Sequence, residues 1–219
     1  MKLDEYLERD KKFKAVYKEA VDFLIKKSIG SHTIDHINRT LNFGIKIGKE
    51  EKADMEVILP ALALHDIGRA IANEKNHSKI GAEIGRKILE RNNYKQDVIK
   101  KITDCILSHD FSSEKNPESL EEKVVYDADK LDSLGDNWRV GLARWFLFSG
   151  ERGLDLEESI FESIKVLNMH LMKNKQIFFT KSGKKLGLKN IEKSLEFAKG
   201  LADDLGIKIP KIKIIEKKN

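Results

Sequence analysis

Histidine and aspartate residues gather in one part of this chain. Five of the six histidines fall between positions 32 and 109, and an aspartate-rich segment, YDADKLDSLG, follows at 126–135. Each residue sits at or within one turn of a predicted helix end, so a helical bundle could bring them together. Imidazole and carboxylate groups together suit a divalent transition metal such as Mn, Fe, Co, Ni or Zn. The candidates are His36, His65, Asp66, His77, His109, Asp110, Asp127 and Asp129.

The alternative interpretation of each histidine is a non-functional helix cap or surface residue, because a single histidine at a helix end is usually one of these. The adjacent His65 and Asp66 would supply one nitrogen and one oxygen ligand from a single turn. Both can bind one ion only if the helix end faces it, since neighbouring helical residues point about 100° apart. The case for a metal site therefore depends on the whole set.

Helix-period spacing of apolar residues runs through most of the chain and predicts an all-α fold. We expect a helix over about 3–24 that could break near Asp10, and a strongly apolar central helix over 53–65 that Pro60 kinks or begins. The last residues alternate apolar and basic types, which suits a short strand or a packing tail. The predicted organisation is one helical domain, 1–205, with a basic tail, 206–219. The remaining helices are expected at about 33–45, 77–91, 96–108, 119–134, 138–149, 156–174 and 180–205.

The composition excludes several classes of protein. The chain has 219 residues, with 41 Lys+Arg against 36 Asp+Glu and a net charge of +5. We find no run of the roughly 20 apolar residues that span a bilayer, and the charged N-terminus has no signal-peptide core. A single cysteine, Cys105, favours a reduced, cytoplasmic setting. The small charge surplus is weak evidence for nucleic-acid binding, although the tail could bind nucleic acid or pair two copies as a homo-oligomer.

Five ordered segments carry a resemblance to a known family. SHTIDHINRT, LALHDIGRA, NHSKIGAEIGRKIL, ILSHD and DADKLDSLG resemble the motifs of the HD-domain superfamily of metal-dependent phosphohydrolases. With GLARWFLFSG after them, they are similar to its small stand-alone bacterial and archaeal branch, some members of which hydrolyse nucleotides. The resemblance implies an all-helical HD bundle, a divalent metal (Mg as well as the transition metals above) and a small phosphorylated substrate.

The resemblance also assigns roles to residues. It implies one metal held by His36, His65, Asp66 and Asp129. His77 and His109 match positions that bind a second ion in two-metal relatives and face the phosphate in one-metal relatives, so either arrangement is permitted. Asp66, His77 and His109 would be the catalytic residues, with a histidine as general acid if it binds no metal at that nitrogen.

Two cations are candidates to bind the substrate phosphate. Arg69 follows the HD pair by three residues, and Lys130 directly follows Asp129. Arginine can clamp phosphate bidentately, whereas lysine acts as a point charge; Lys130 could equally be a solvated lysine. Some relatives carry an acidic, water-activating residue at the position of Arg69, so their nucleotidase mechanism does not transfer directly.

Other residues have weaker indications. Asp132 could hydrogen-bond a ligand histidine, Arg144 could pair with a carboxylate or reach the phosphate, and His32 could support His36 or cap its helix. Cys105 is predicted to be a buried apolar-type residue. Four aromatic residues are predicted to be core rather than a base-stacking platform: Trp138, Trp145, Phe146 and Phe148.

The sequence thus predicts an enzyme, a metal-dependent phosphohydrolase of a small phosphorylated molecule. The alternative is a non-catalytic HD module that binds a metal and a nucleotide as a signal.

Overall fold

The computed structural model of the protein describes residues 2–27, 34–71, 76–110, 115–172 and 177–208, without the side chains of 168–172. These ranges contain ten α-helices and no strand, which confirms the all-α prediction. None of these helices has the length and apolar content needed to cross a bilayer. The helices are α1 Leu3–Arg9, α2 Lys11–Lys27, α3 Ile34–Glu51, α4 Met55–Leu64, α5 His77–Arg91, α6 Gln96–Ser108, α7 Leu120–Leu134, α8 Trp138–Glu151, α9 Leu156–Met172 and α10 Lys181–Asp204.

Some predictions fall outside the described residues. These are His32, the start of the second helix at position 33, the side chain of His170, and the basic tail beyond position 208. The predictions that depend on the tail, nucleic-acid binding and a homo-oligomer, stay predictions, as do the domain boundary at 205 and the cytoplasmic location.

The N-terminal helix breaks where the sequence allowed it. Asp10 separates α1 from α2, and its Oδ1 accepts a hydrogen bond of 2.9 Å from the backbone N–H of Phe13. Such a side-chain bond satisfies an amide that has no partner in the first turn of a helix. The buried face of α2 follows helical spacing, with Phe13, Val16, Ala20 and Leu24 in the core.

Helix α4 is the centre of the bundle. Every residue from Val57 to Leu64 is buried, as expected of a helix that is apolar all round. The helix begins at Met55, where the Asp54 side chain accepts from the Glu56 amide at 2.9 Å. The interpretation of Pro60 as the start of this helix is therefore wrong, because Pro60 lies within it.

A close approach follows the end of α4. His65 and Asp66 form a turn, and a short 3-10 helix covers Ile67–Ala70. A Cβ on Gly68 would lie 1.9 Å from the His77 carbonyl oxygen and 2.6 Å from the Gly81 amide nitrogen. Glycine at this position therefore lets the N-terminus of α5 pack against the turn, which brings His77 towards the HD pair.

Asp127 joins α7 to the start of α10. Its carboxylate accepts hydrogen bonds from the amides of Phe179 and Thr180, both 2.8 Å, and from the Thr180 hydroxyl at 2.6 Å. Burial raises the pKa of Asp127 to about 6, although these bonds to Thr180 and Phe179 lower it. Thr180 caps α10 by accepting a hydrogen bond from the Gly183 amide.

Candidate metal centre

Four histidines from different parts of the chain meet at one end of the bundle. His36 lies on α3, His65 ends α4, His77 begins α5 and His109 follows α6. Neighbouring rings are 5.1–5.2 Å apart between centroids, in the order 36, 65, 109, 77. None of the four is more than 1% exposed. The interpretation of these four histidines as surface residues is therefore wrong, although His65 and His109 do lie at helix C-caps.

Asp66 lies between the two ends of this row. Its Oδ2 is 3.3 Å from Nε2 of both His36 and His65. Its Oδ1 is 3.5 Å from Nε2 of His109 and 3.9 Å from Nε2 of His77. One carboxylate thus serves two groups of possible ligands, one with His36 and His65 and the other with His77 and His109.

Asp129 adds a second carboxylate to the first group. Its Oδ1 lies 3.4 Å from Nε2 of His36 and 3.7 Å from Nε2 of His65. Burial raises the pKa of Asp129, but Lys130 and His36 outweigh it and hold that pKa well below its usual range. The structure therefore brings together the four residues predicted to bind one metal, with the carboxylate ionised.

Backbone carbonyls fix the orientation of two of the histidines. Nδ1 of His65 is 2.7 Å from the Leu62 carbonyl oxygen, and Nδ1 of His109 is 2.6 Å from that of Ile106. A carbonyl can only accept, so each Nδ1 carries the proton. In the neutral ring, Nε2 then carries a lone pair that points into the cluster.

His36 shows the same arrangement with a carboxylate partner. Its Nδ1 lies 2.8 Å from Oδ2 of Asp132, and its Nε2 lies 3.1 Å from Nε2 of His65. Two ring nitrogens that both carry lone pairs face each other unfavourably unless a proton or a cation lies between them. Together with the two carboxylate oxygens beside them, these nitrogens are suitable ligands for one shared divalent cation.

In the metal-free protein, a proton on His36 can lie where the cation would bind. Burial and the charge of Arg144 lower the pKa of His36. Interactions with the carboxylates of Asp129, Asp132 and Asp66 outweigh both and raise that pKa to about 9. A metal that binds Nε2 of His36 must therefore displace a proton at neutral pH.

The second group lies around His77 and His109. Nε2 of His77 lies 3.3 Å from Nε2 of His109, and 3.9 Å from Oδ2 of Asp110. Asp110 is thus a further carboxylate beside this half of the cluster. The distances permit a second ion bound by Asp66, His77 and His109.

The two predicted phosphate-binding cations both pair with carboxylates of the cluster. Arg69 donates from Nε to Oδ1 of Asp66 at 2.7 Å. Lys130 donates to Oδ2 of Asp129 at 2.8 Å and lies over the Tyr126 ring. Their location beside the site agrees with the sequence, and their binding of phosphate stays a prediction.

A supporting network surrounds His36. Asp132 bonds this histidine, as the sequence indicated, and Arg144 pairs with Asp132 through Nε at 3.3 Å. Arg39 was not among the predicted residues, and it donates to Asp132 from Nε at 2.5 Å and from Nη2 at 3.2 Å. Its spacing was the available signal, since Arg39 follows His36 by three residues and shares its helix face.

Two expectations from the sequence need correction. Asp127 does not join the cluster but bonds Phe179 and Thr180 before α10, because residues two apart on a helix point to nearly opposite sides. Of the four aromatics predicted to be core, Trp138 is buried, whereas Trp145, Phe146 and Phe148 are only half-buried. Cys105 is fully buried, as predicted.

The comparisons with known proteins agree with this architecture. Residues 33–134 match the sequence model of the HD domain, and this range holds the whole cluster from His36 to Asp132. The uncharacterized protein YpgQ of Bacillus subtilis (strain 168) is 26% identical over 193 residues, which cover 84% of this chain and 90% of YpgQ.

Solved structures share the fold. A protein from Lactobacillus plantarum gives a TM-score of 0.71 at 23% identity, covering 91% of this chain and 99% of its own. A predicted HD superfamily hydrolase from an uncultured Thermotogales bacterium gives 0.61 at 23% identity, covering 94% and 100%. YpgQ crystallised in complex with ADP gives 0.65 at 23% identity, covering 92% and 97%.

The HD-domain match spans the histidine and aspartate cluster, and the bundle that positions this cluster is shared with the solved structures. Residues 33–134 of the chain therefore form an HD domain.

Proposed function

We propose that this protein is a metal-dependent phosphohydrolase of a small phosphorylated substrate, with nucleotides as the first candidates. One observation carries the proposal. Buried Asp66 places Oδ2 against His36 and His65 and Oδ1 against His77 and His109. Such a cluster of acceptors buried at the end of a helical bundle is costly without a cation, and a cation there could meet an anionic substrate.

The proposed metal ligands are Nε2 of His36 and His65 with one oxygen each from Asp66 and Asp129. A divalent metal bound there lowers the pKa of water towards 7 and polarises a phosphoryl oxygen. The residues themselves hold the donors in place: carbonyl and carboxylate partners on Nδ1 fix the rings, and Lys130 holds the outer oxygen of Asp129.

The other half of the cluster is proposed to face the phosphate. Because Nδ1 of His109 donates to the Ile106 carbonyl, its Nε2 can either bind a cation or carry a proton that it donates to the substrate. His77 lies 3.3 Å away. The pair acts either through a second ion or by direct contact with a phosphoryl oxygen, with a histidine as general acid in the second case.

Arg69 and Lys130 are the proposed phosphate clamp. Both lie beside the ligand carboxylates, and Arg69 uses Nε for Asp66. The guanidinium carries further N–H donors on its terminal nitrogens, and these suit the oxygens of a phosphoryl group.

A nucleotide is the favoured substrate for two reasons. The relative YpgQ has been crystallised with ADP. In this chain the half-buried Phe148 ring lies 5.8 Å from the Arg69 guanidinium. An aromatic face at that distance from a phosphate-binding arginine could stack on a base.

Metal analysis combined with a hydrolysis screen tests the proposal. The metal-free protein is assayed against nucleoside mono-, di- and triphosphates and inorganic pyrophosphate, each with Mn²⁺, Co²⁺, Ni²⁺, Zn²⁺ or Mg²⁺. We expect metal-dependent release of phosphate or pyrophosphate. In Asp66→Asn the rate of hydrolysis should fall more than about 100-fold, which exceeds the loss caused by removing a residue that only hydrogen-bonds a metal ligand. The control is Glu122→Gln. Glu122 is a buried carboxylate in the first turn of α7 that pairs with Lys115 and is not part of the cluster.

The same experiment separates the alternative, a non-catalytic module. That alternative predicts that the protein binds both a metal and a nucleotide and releases no product across the panel. Activity in Asp66→Asn equal to the wild type, with the helical spectrum retained, would contradict the proposed enzyme.

A further inference from the structure

His36 is held differently from two of its neighbours in the cluster. Nδ1 of His65 and of His109 each bonds a carbonyl three residues earlier in the chain. Those two bonds form as soon as their own helices form. Nδ1 of His36 instead bonds Asp132 on α7, 96 residues away. The orientation of His36 therefore depends on the packing of α3 against α7.

The Asp132 carboxylate is itself held from two helices. Arg39 on α3 donates to Oδ1 at 2.5 Å and to Oδ2 at 3.2 Å, in the bidentate geometry that arginine favours. Arg144 on α8 places Nε 3.3 Å from Oδ2. Asp132 is fully buried, so rotation of its carboxylate would break these bonds at a position where bulk solvent cannot replace them.

This arrangement has a direct geometric consequence. Oδ2 of Asp132 accepts the Nδ1 proton of His36, which leaves Nε2 directed at Oδ2 of Asp66 and Oδ1 of Asp129, at 3.3 and 3.4 Å. A ring turned about its axis would move Nε2 away from both carboxylates.

We infer that Asp132 is a positioning residue for the metal centre, and that Arg144 extends this support to α8. Asp132 fixes His36 with the proton on Nδ1 and Nε2 towards the metal, and Arg144 helps to hold the carboxylate that does so. The inference rests on one part of the proposed function, namely that a metal ion binds Nε2 of His36. It connects α8, the helix that carries Phe148 beside Arg69, to the affinity of the centre.

A purely structural ion-pair cluster would behave differently. It would change the free energy of unfolding when it is broken, and leave metal affinity in the folded protein unchanged. Partners that orient a metal-binding histidine typically contribute about 10- to 100-fold in metal affinity. Metal affinity and the state of the Nδ1 proton therefore distinguish the two roles.

The experiment uses the full chain as wild type, Asp132→Ala, Asp132→Asn and Arg144→Met, with Glu122→Gln as the control on the same helix. Isotopically labelled histidine reports the Nδ1 proton of His36 by NMR in the metal-free protein, assigned with His36→Gln. Titration with Zn²⁺ alone and with Mn²⁺ alone gives the dissociation constants.

We expect a slowly exchanging Nδ1 proton on His36 in the wild type and in Glu122→Gln, and its loss in Asp132→Ala. Metal affinity should fall about 10- to 100-fold in Asp132→Ala. Asp132→Asn, whose amide oxygen can still accept from Nδ1, should lose less. Arg144→Met removes both this support and a positive charge that repels a bound ion, so its readout is the Nδ1 proton of His36, which should exchange faster than in the wild type.

Unchanged affinity together with an unchanged Nδ1 proton in the folded Asp132 variants would overturn the inference. If Asp132→Ala does not fold, Asp132→Asn and Arg144→Met decide it, and an unchanged Nδ1 proton in Arg144→Met overturns the part that concerns α8. A wild type that binds neither ion would instead refute the proposed function. In that case the NMR signal still tests the relation between Asp132 and His36.

Discussion

Arg69 donates from Nε to Oδ1 of Asp66 at 2.7 Å, and this is the carboxylate oxygen that faces His77 and His109. The other oxygen, Oδ2, faces His36 and His65. The two oxygens of the shared carboxylate therefore differ in their surroundings, since the guanidinium stands beside only one of them. A second divalent ion on Oδ1 would lie close to this positive charge and would be repelled by it.

The first prediction concerns metal stoichiometry. Wild-type protein should bind one divalent ion tightly, and Arg69→Gln should bind a second ion at least about tenfold more tightly than the wild type does, because a nearby unit charge is removed. Equilibrium dialysis with elemental analysis counts the ions per chain. Arg152→Gln is the matched control, because the Arg152 guanidinium lies over the same Phe148 ring. Two equally tight ions in the wild type would contradict the prediction.

The second prediction is a proton released on metal binding. The carboxylates around His36 raise its pKa to about 9 against burial and Arg144, so this ring is protonated at neutral pH in the metal-free protein. A metal on Nε2 must displace that proton, and its affinity should rise with pH up to about 9. Calorimetry in buffers of different ionisation enthalpy measures the number of protons released near pH 7. A value near zero, with normal binding, would contradict the assignment of His36 as a ligand.

The third prediction follows from the same pKa in the absence of metal. A histidine whose pKa is raised on folding, here from 6.5 to about 9, stabilises the fold fully below pH 6.5 and loses that contribution as pH rises through 9. The metal-free protein should therefore become less stable over this range. Urea unfolding at a series of pH values measures the slope, and His36→Gln should flatten it. An equal slope in both proteins would mean that another group is responsible.

Much of this site could be predicted from the sequence because its signals are local. Helices α5 and α6 have the predicted ends, since His77 and Asn92 lie at a change in periodicity that the sequence displays. The contact of Arg39 with Asp132 joins residues 93 apart, and only the helix face that Arg39 shares with His36 could have indicated it. The half-buried state of Phe148 likewise depends on how α8 packs. Asp127 could have been separated from Asp129 by helical geometry alone, because both residues lie on the helix predicted over 119–134.

The fourth prediction concerns Asp127. Its carboxylate accepts three hydrogen bonds from Phe179 and Thr180. In Asp127→Asn one amide oxygen remains as acceptor, and the NH₂ group faces N–H donors. A buried donor left without its partner costs about 1–3 kcal/mol, so the free energy of unfolding should fall by about that amount. Urea denaturation measures it, with Asp136→Asn, which breaks only an exposed pair with Lys189, as the nearly neutral control. Equal stability of both variants would refute a role for Asp127 in holding α10.

The last prediction concerns Gly68, where the fold and the site meet. A methyl group on this residue would lie 1.9 Å from the His77 carbonyl oxygen. The obstacle is backbone, so α5 must move rather than a side chain rotate, and His77 moves with it. Gly68→Ala should lower stability by about 1–3 kcal/mol, as overpacking does, and should weaken phosphate hydrolysis beyond the effect of stability alone. Gly150→Ala is the control, because a Cβ there meets nothing within 4 Å and alanine favours a helix. Gly68→Ala with wild-type stability and turnover would show that the approach of α5 to the HD turn does not position His77.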